Sequence, residues 1–455
     1  MKRSQAKAAT RRLIFLAVCW VAFSGCSGSS EKTTRPAPLS PMHWPQFRGP
    51  DGNAVVAGTA PISWDEATSD GIKWKSPVPL QGASTPVVCG NKVFLTGATS
   101  TSREVYCFDA TTGELLWERQ VSTTSSPVQS AVYDGGSENI TYAANSVAMD
   151  GVNVYAIFGN GDIAAFDHTG GSVWTRSLGL PNINWGYSTS LIERGNHLFV
   201  QFDQLSSVDG ETGDTISESK LMALKKSNGS VVWEKDYLSR PVGPSLSSPI
   251  IINADGKDQL ITCSRGFDEI SGVGPDVFSF NPLTGEEYWR CAALGEADDI
   301  VSCPVFVDGK VVVVGVDGIR AIDPTGSGDV SATHIAWTLT GAAACDGSSC
   351  VGLGKDLFAV NGSTGQVRCI NMDNGSVRWT HSTASGQIWA SPIIVGDSVF
   401  LLSRNGTMNI FRNNAGAVEV IGTCAILDNY CSASPAYANG CVFFRSLDNL
   451  YCVGD

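Results

Sequence analysis

Asp298 and Asp299 form the tight carboxylate pair that stands out in this chain, and neighbouring carboxylates are a start toward a hard-cation site. Trp185 and Trp389 are the second feature. Both lie outside the regular Trp positions described below, and two indoles at a rim can stack on a planar ligand or anchor a peptide. The remaining chemistry-bearing residues are dispersed. His43, His168, His197, His334 and His381 show no HExxH or Cys/His ligand spacing. No GxSxG elbow, Walker loop, CxxCH haem site or DxDG calcium loop occurs, and no catalytic residue is assigned. Function on this reading depends on where the fold gathers isolated side chains.

That fold is written in a repeat. Cys107–Trp117, CFDATTGELLW, reads as a strand ending at Asp109, a turn through Thr112-Gly113 and a second strand closed by Trp117. Variants recur at Ala165–Trp174, Ala223–Trp233, Ser279–Trp289, Ala321–Gly326 (with Trp337 later) and Ile370–Trp379. The closing Trp residues are spaced by roughly 40 to 60 positions, the range of propeller blades. Ahead of each unit stands a small residue followed by Pro and two strands, starting at Ser84, Ser247, Ser302, Ser348, Ala390 and Ala433, with weaker copies near Asn145 and Ser188. Eight copies of four antiparallel strands predict an all-β, eight-bladed β-propeller. The last copy has no Trp strand, and Ile72-Lys73-Trp74-Lys75 is a Trp strand with no preceding unit. The expectation is that Trp74 completes the last blade and closes the ring.

The (A/C)xDxxTGxxxW unit resembles the pyrroloquinoline-quinone-like propeller repeat, a family that includes quinoprotein dehydrogenases and a non-catalytic lipoprotein of the outer-membrane β-barrel assembly machine. The resemblance speaks for the fold, because the repeated residues build blades and form no active site. Quinoprotein alcohol dehydrogenases of this family carry a vicinal disulfide, a calcium held by Glu and Asn and an Asp base; none of these motifs matches positions here. The resemblance therefore implies no required cofactor, with pyrroloquinoline quinone plus calcium as the alternative.

Residues 1–25 read as a secretory signal, with Lys2, Arg3, Lys7, Arg11 and Arg12 before the apolar Leu13–Phe23 run. It ends at Phe23-Ser24-Gly25-Cys26, which resembles a lipobox with Cys26 lipidated. Residues 26–42, rich in Ser, Thr and Pro, are expected to be a disordered tether, and Ser27 after the lipidated Cys points to the outer membrane, facing the periplasm. Residues 43–60 read as an extended strap anchored by Trp44 and Phe47, with residues 61–455 forming the propeller. Asp203–Lys220 and Ser264–Asp276 break the blade rhythm as surface loops.

The net charge is −13 and becomes more negative once the basic leader is removed, which argues against nucleic acid and against direct attraction to anionic lipid. Cys107, Cys369 and Cys452 occupy the repeat's Ala position, Cys303 the small position before Pro304 and Cys350 a Pro position, so these read as small core residues. Cys345–Cys350 and Cys424–Cys431 are the nearest candidates for bridges.

The loops from each Trp strand to the next Pro strand share one face beside the central channel. By repeat position they carry Gln81, Trp185, Tyr187, Arg240 and Asp298. Asp299, Gln387, Trp389, Asn429 and Tyr430 complete that candidate face, and its aromatics could equally plug the channel. The leading expectation is a monomeric, non-catalytic, lipid-anchored scaffold that offers loops and blade edges to an envelope protein, with outer-membrane protein assembly as its setting. The alternatives are a quinone-dependent dehydrogenase and a carbohydrate- or peptide-binding propeller.

Overall fold

The computed structural model describes residues 43–121, 142–183, 187–204, 207–208, 215–216, 219–237, 245–264, 276–292, 302–315, 318–341, 347–383, 385–428 and 430–454. Among them there is no α-helix, and eight antiparallel four-stranded sheets form an eight-bladed propeller. Blades 1 to 7 span 87–120, 148–177, 192–235, 250–292, 305–340, 351–382 and 393–425. Blade 8 takes three strands from 436–453 and its fourth from Ile72–Pro77, which pairs with Asn449–Val453 so that Trp74 lies opposite Cys452. The ring thus closes through the N-terminal strand, as the isolated Trp strand implied.

The repeat's residues have separate jobs. Asp109 Oδ1 accepts the N–H groups of Thr111 and Thr112, which fixes the turn between the third and fourth strands. Gly113, at φ 76°, lets the turn close, and its missing side chain makes room for a neighbour. A Cβ there would lie 2.7 Å from the Trp74 ring, and the same holds for Gly229 under Trp174 at 2.7 Å and Gly285 under Trp233 at 2.8 Å. Each Trp therefore docks on the turn of the following blade. Its Nε1 donates to a backbone carbonyl there: Trp74 to Ala110, Trp117 to His168, Trp174 to Lys226, Trp233 to Pro282 and Trp337 to Met372.

Three seams depart from this rule, the first at Trp379, whose Nε1 donates to Asn413 Oδ1 at 2.9 Å. Trp289 donates to Gln259 Oε1, and Gln259 Nε2 passes the link to the Pro324 carbonyl of blade 5. In blade 7 the position equivalent to Trp is Gly422, opposite Ile410. The blade it must meet has no turn at that point, because its fourth strand comes from the other end of the chain. Residues 62–66 fill the gap: the Ile62 carbonyl lies over Gly422, and Trp64, 5% exposed, packs on Phe444 with ring centroids 6.1 Å apart.

The first strand of every blade lines the channel, and the small residue before each of these strands ties the ring together. Thr85 N–H donates to Ser146 Oγ, Ser146 to Ser190, Ser190 to Ser248, Ser248 to Cys303 Sγ, Cys303 to Ser349, Ser349 to Ser391 and Ser391 to Ser434, at 2.8 to 3.1 Å. Cys303 is the one sulfur in that series. Cys107, Cys369 and Cys452 are buried at the sheet positions where other blades use Ala. The Cys424–Cys431 bridge does not form: both are thiols, and Cys424 Sγ instead meets the Ile62 carbonyl at 3.5 Å in the divergent seam. Cys345 lies outside the described residues, and with it the second pairing.

Candidate functional site

Antiparallel strands alternate direction, so the blade-joining loops and the turns between second and third strands emerge on one face. The first hairpin turns emerge on the other. The two faces close the channel differently.

On the hairpin side, the strap enters the channel and touches the inner strand of blade after blade. His43–Trp44 pairs with Val87–Cys89 of blade 1. The Pro45 carbonyl accepts from Met149 N–H in blade 2, and Gln46 Oε1 from Glu193 N–H in blade 3. Gly52 passes Ile250 of blade 4 so closely that a Cβ would lie 2.9 Å from that side chain. Asn53 Oδ1 accepts from Phe306 N–H in blade 5, and Val55–Val56 adds in parallel to Ile393–Val395 of blade 7. Tyr437 Oη of blade 8 donates to the Thr59 carbonyl at 2.8 Å. Arg48 supplies the blade 6 contact. Its Nη2 donates to the Cys350 carbonyl at 2.5 Å, and its Nε to Gly52 at 3.1 Å. Arg48 is 2% exposed, and burial lowers its pKa. Trp44 is wholly buried, as an anchor should be, and Phe47 is half-buried.

On the loop side, Trp389, Gln387 and Tyr430 converge on Arg404, a residue outside the sequence-derived set. The Arg404 guanidinium carbon lies 4.2 Å from the Trp389 ring centroid and 4.6 Å from that of Tyr430, so the cation is sandwiched between two π faces. Arg404 Nη1 donates to Gln387 Oε1 at 3.2 Å, and its backbone joins the two flanking loops through Gln387 and Cys431. Tyr430 has φ 59° and is 38% exposed, and the adjacent Leu427 is 77% exposed. Arg404 sits in the Ser403–Gly406 turn of blade 7, and the blade-joining loops alone do not reveal it. Only its spacing from an Asn-Gly turn marks it as surface-facing.

The other predicted residues are placed as follows. Gln81 lies one blade further round, with Nε2 donating to Asp448 Oδ1 at 3.2 Å. Tyr187 does not face a ligand: it is 1% exposed, its Oη donates to the Gln201 carbonyl at 2.8 Å, and its ring packs on Phe202. Trp185, Arg240, Asp298, Asp299, Asn429 and Cys26 lie outside the described residues.

Below the blade 3 loops is a buried carboxylate that sequence reading treated as the start of an exposed acidic loop. Asp203 is 0% exposed, accepting from Tyr237 Oη at 2.6 Å, Gln201 Nε2 at 2.8 Å and Ser245 N–H at 3.2 Å. Desolvation outweighs these bonds and raises its pKa to about 6.

A quinone–calcium pair would need convergent carboxylates for the metal and cations around a planar slot. Among the described residues no three His, Cys, Asp or Glu side chains come together as such a set. The buried channel cation, Arg48, is turned onto carbonyls of its own strap and of Cys350. The described residues thus show no metal-ligand set for that group, while Arg48 Nη1 is buried without a hydrogen-bond partner among them.

Fold and site define a closed propeller with one plugged mouth and one aromatic, loop-bearing mouth. The family model described as outer membrane protein assembly factor BamB matches residues 44–184 and 217–453, and the chain belongs to this family of pyrroloquinoline-quinone-like repeat proteins. Among curated proteins it is similar to the quinoprotein alcohol dehydrogenase PedH of Pseudomonas putida, 29% identical over 190 residues. That match takes in 41% of this chain and only 28% of the enzyme's length. Among solved structures, BamB from Moraxella catarrhalis aligns over 83% of this chain and 96% of its own, with TM-score 0.55 and 13% identity. A europium-containing methanol dehydrogenase aligns over 90% and 91%, with TM-score 0.61 and 12% identity. Likeness at such identities is one of fold.

Proposed function

We propose that this chain is a non-catalytic, lipid-anchored propeller, tethered through Cys26, that serves as a monomeric protein-interaction scaffold in the bacterial envelope. Outer-membrane protein assembly, on the periplasmic side, is its setting. One observation carries the reading: the partly exposed Trp389–Arg404–Tyr430 sandwich belongs to no repeat position, whereas the described repeat Trp side chains are spent on blade docking. Aromatic and Arg side chains held rigid at a rim are what a protein interface uses as anchors. The family match and the BamB fold likeness support the same setting.

A second reading, a quinone-dependent dehydrogenase, draws support from the partial match to the Pseudomonas putida enzyme. Site-specific photo-crosslinking in cells separates the two. A crosslinker at Gln387 gives a discrete adduct with an envelope protein, lost when Arg404→Ala is added, while the same probe at Val152 on the opposite face gives none. Equal labelling from both positions, or none from Gln387, overturns the scaffold reading.

A further inference from the structure

Two thiols lie diagonally across the strand pair that closes the ring. Cys441–Arg445 runs antiparallel to Asn449–Val453, with Phe443 opposite Cys452 and Val442 opposite Val453. Side chains alternate along a strand, so Cys441 shares a sheet face with Phe443 and Cys452. The next residue along, opposite Cys441, is Gly454, which leaves that face vacant. Cys441 Sγ occupies the vacancy, 2.7 Å from where a Gly454 Cβ would lie. There Cys441 Sγ donates to the Asn439 carbonyl at 3.7 Å, and both it and Cys452 are thiols in this structure. A diagonal cross-strand pair is near the outer limit of disulfide geometry, and the glycine lets Cys441 lean across the difference. Both side chains are buried, at 6% and 0% exposure. Cys303, by contrast, is committed to the serine ring through Ser248 N–H.

We propose that Cys441 and Cys452 are oxidised to a disulfide that locks the closing seam after the chain leaves the cytoplasm. The inference about timing rests on the export reading above. The strand bearing Cys452 pairs on its other side with Ile72–Pro77, so the bond would staple the strand on which ring closure depends. The oxidant is a disulfide donor of the thiol–disulfide exchange class. One cysteine, as thiolate, attacks the donor disulfide and releases one donor thiol. The second attacks the mixed disulfide and releases the other. The protein loses two protons and two electrons, and the donor gains them. Burial places this step during folding, before the seam closes over the sulfurs.

The test equilibrates the purified full chain in mixtures of oxidised and reduced glutathione during refolding, quenches with an alkylating reagent and maps the peptides. The expected product is a peptide pair joined through Cys441 and Cys452, with a melting temperature that falls by several degrees on adding reductant. Cys441→Ser, at the start of its strand, loses both the linkage and the response to reductant. Full alkylation of both cysteines at every glutathione ratio, or linkage of either to a different cysteine, overturns the inference. Cell fractionation is run alongside. Linked protein in the envelope supports both readings. Linkage in the refolded protein, with free thiols in protein retained in the cytoplasm, supports the pair and counts against export.

Discussion

At the hairpin end of the channel, Trp44 and Arg48 are wholly inside the protein; at the loop end, Trp389, Arg404 and Tyr430 stand partly in solvent. Both ends use an indole and a guanidinium. At the first, the guanidinium hydrogen-bonds to carbonyls and the strap is paired strand by strand with the ring. At the second, the guanidinium is clamped between two rings from different blade-joining loops. The same side chains close one mouth and decorate the other, which teaches that residue type alone does not mark a site. What marks it is exposure without a structural debt to the repeat.

The strap end gives the largest expected effect. Trp44→Ala removes a fully buried indole and should cost about 3–5 kcal/mol in chemical denaturation. Trp44→Phe should cost much less, because the Trp44 Nε1 is buried without a hydrogen-bond partner. Equal losses would mean that the strap is held by something other than this ring.

The pH dependence tests the loop end separately, through an acid buried there. Asp203 has its pKa raised from 3.8 to about 6. Below the unfolded value both states carry the proton. Between the two values the folded state holds a proton that the unfolded state has lost, so stability falls as pH rises from about 4 to about 6, by about 3 kcal/mol, and this contribution is flat above. Unfolding free energies compared across that window for the parent and Asp203→Asn should differ by a slope that the variant lacks.

Gly113→Ala tests the docking rule beneath both ends. It places a methyl against the Trp74 ring at a left-handed position and should cost about 2–4 kcal/mol. Gly354→Ala has a similar φ of 58° with nothing within 4 Å, and should cost about 1 kcal/mol in the same melt. Arg404→Ala should have the smallest effect on stability, about 1 kcal/mol, while removing the Gln387 crosslink. A large stability loss would make the loop platform another closure device.

The blades and their closure were legible because they repeat. Trp74 without a unit, and a final unit without a Trp, pointed to one another across the chain. The strap's path was not legible beyond Trp44 as an anchor, because its contacts are single polar atoms to distant residues, such as Arg48 to Cys350. Gly422 in place of Trp also escaped notice, although the absent turn in blade 8 explains it. At the candidate site, Gln387, Trp389 and Tyr430 were found by their position in blade-joining loops. Arg404 was missed because it comes from a different class of turn, and Tyr187 was included although its hydroxyl had a buried carbonyl to satisfy. Asp203 looked like loop charge because the residues that bury it, Tyr237 and Ser245, lie more than thirty positions away.

Calorimetric titration of the full chain with pyrroloquinoline quinone plus calcium, followed by dye reduction with alcohols and sugars, addresses the central claim most directly. The scaffold account predicts no saturable heat and no dye reduction. Micromolar or tighter binding with turnover would contradict it and make the Trp389–Arg404–Tyr430 mouth part of an active site.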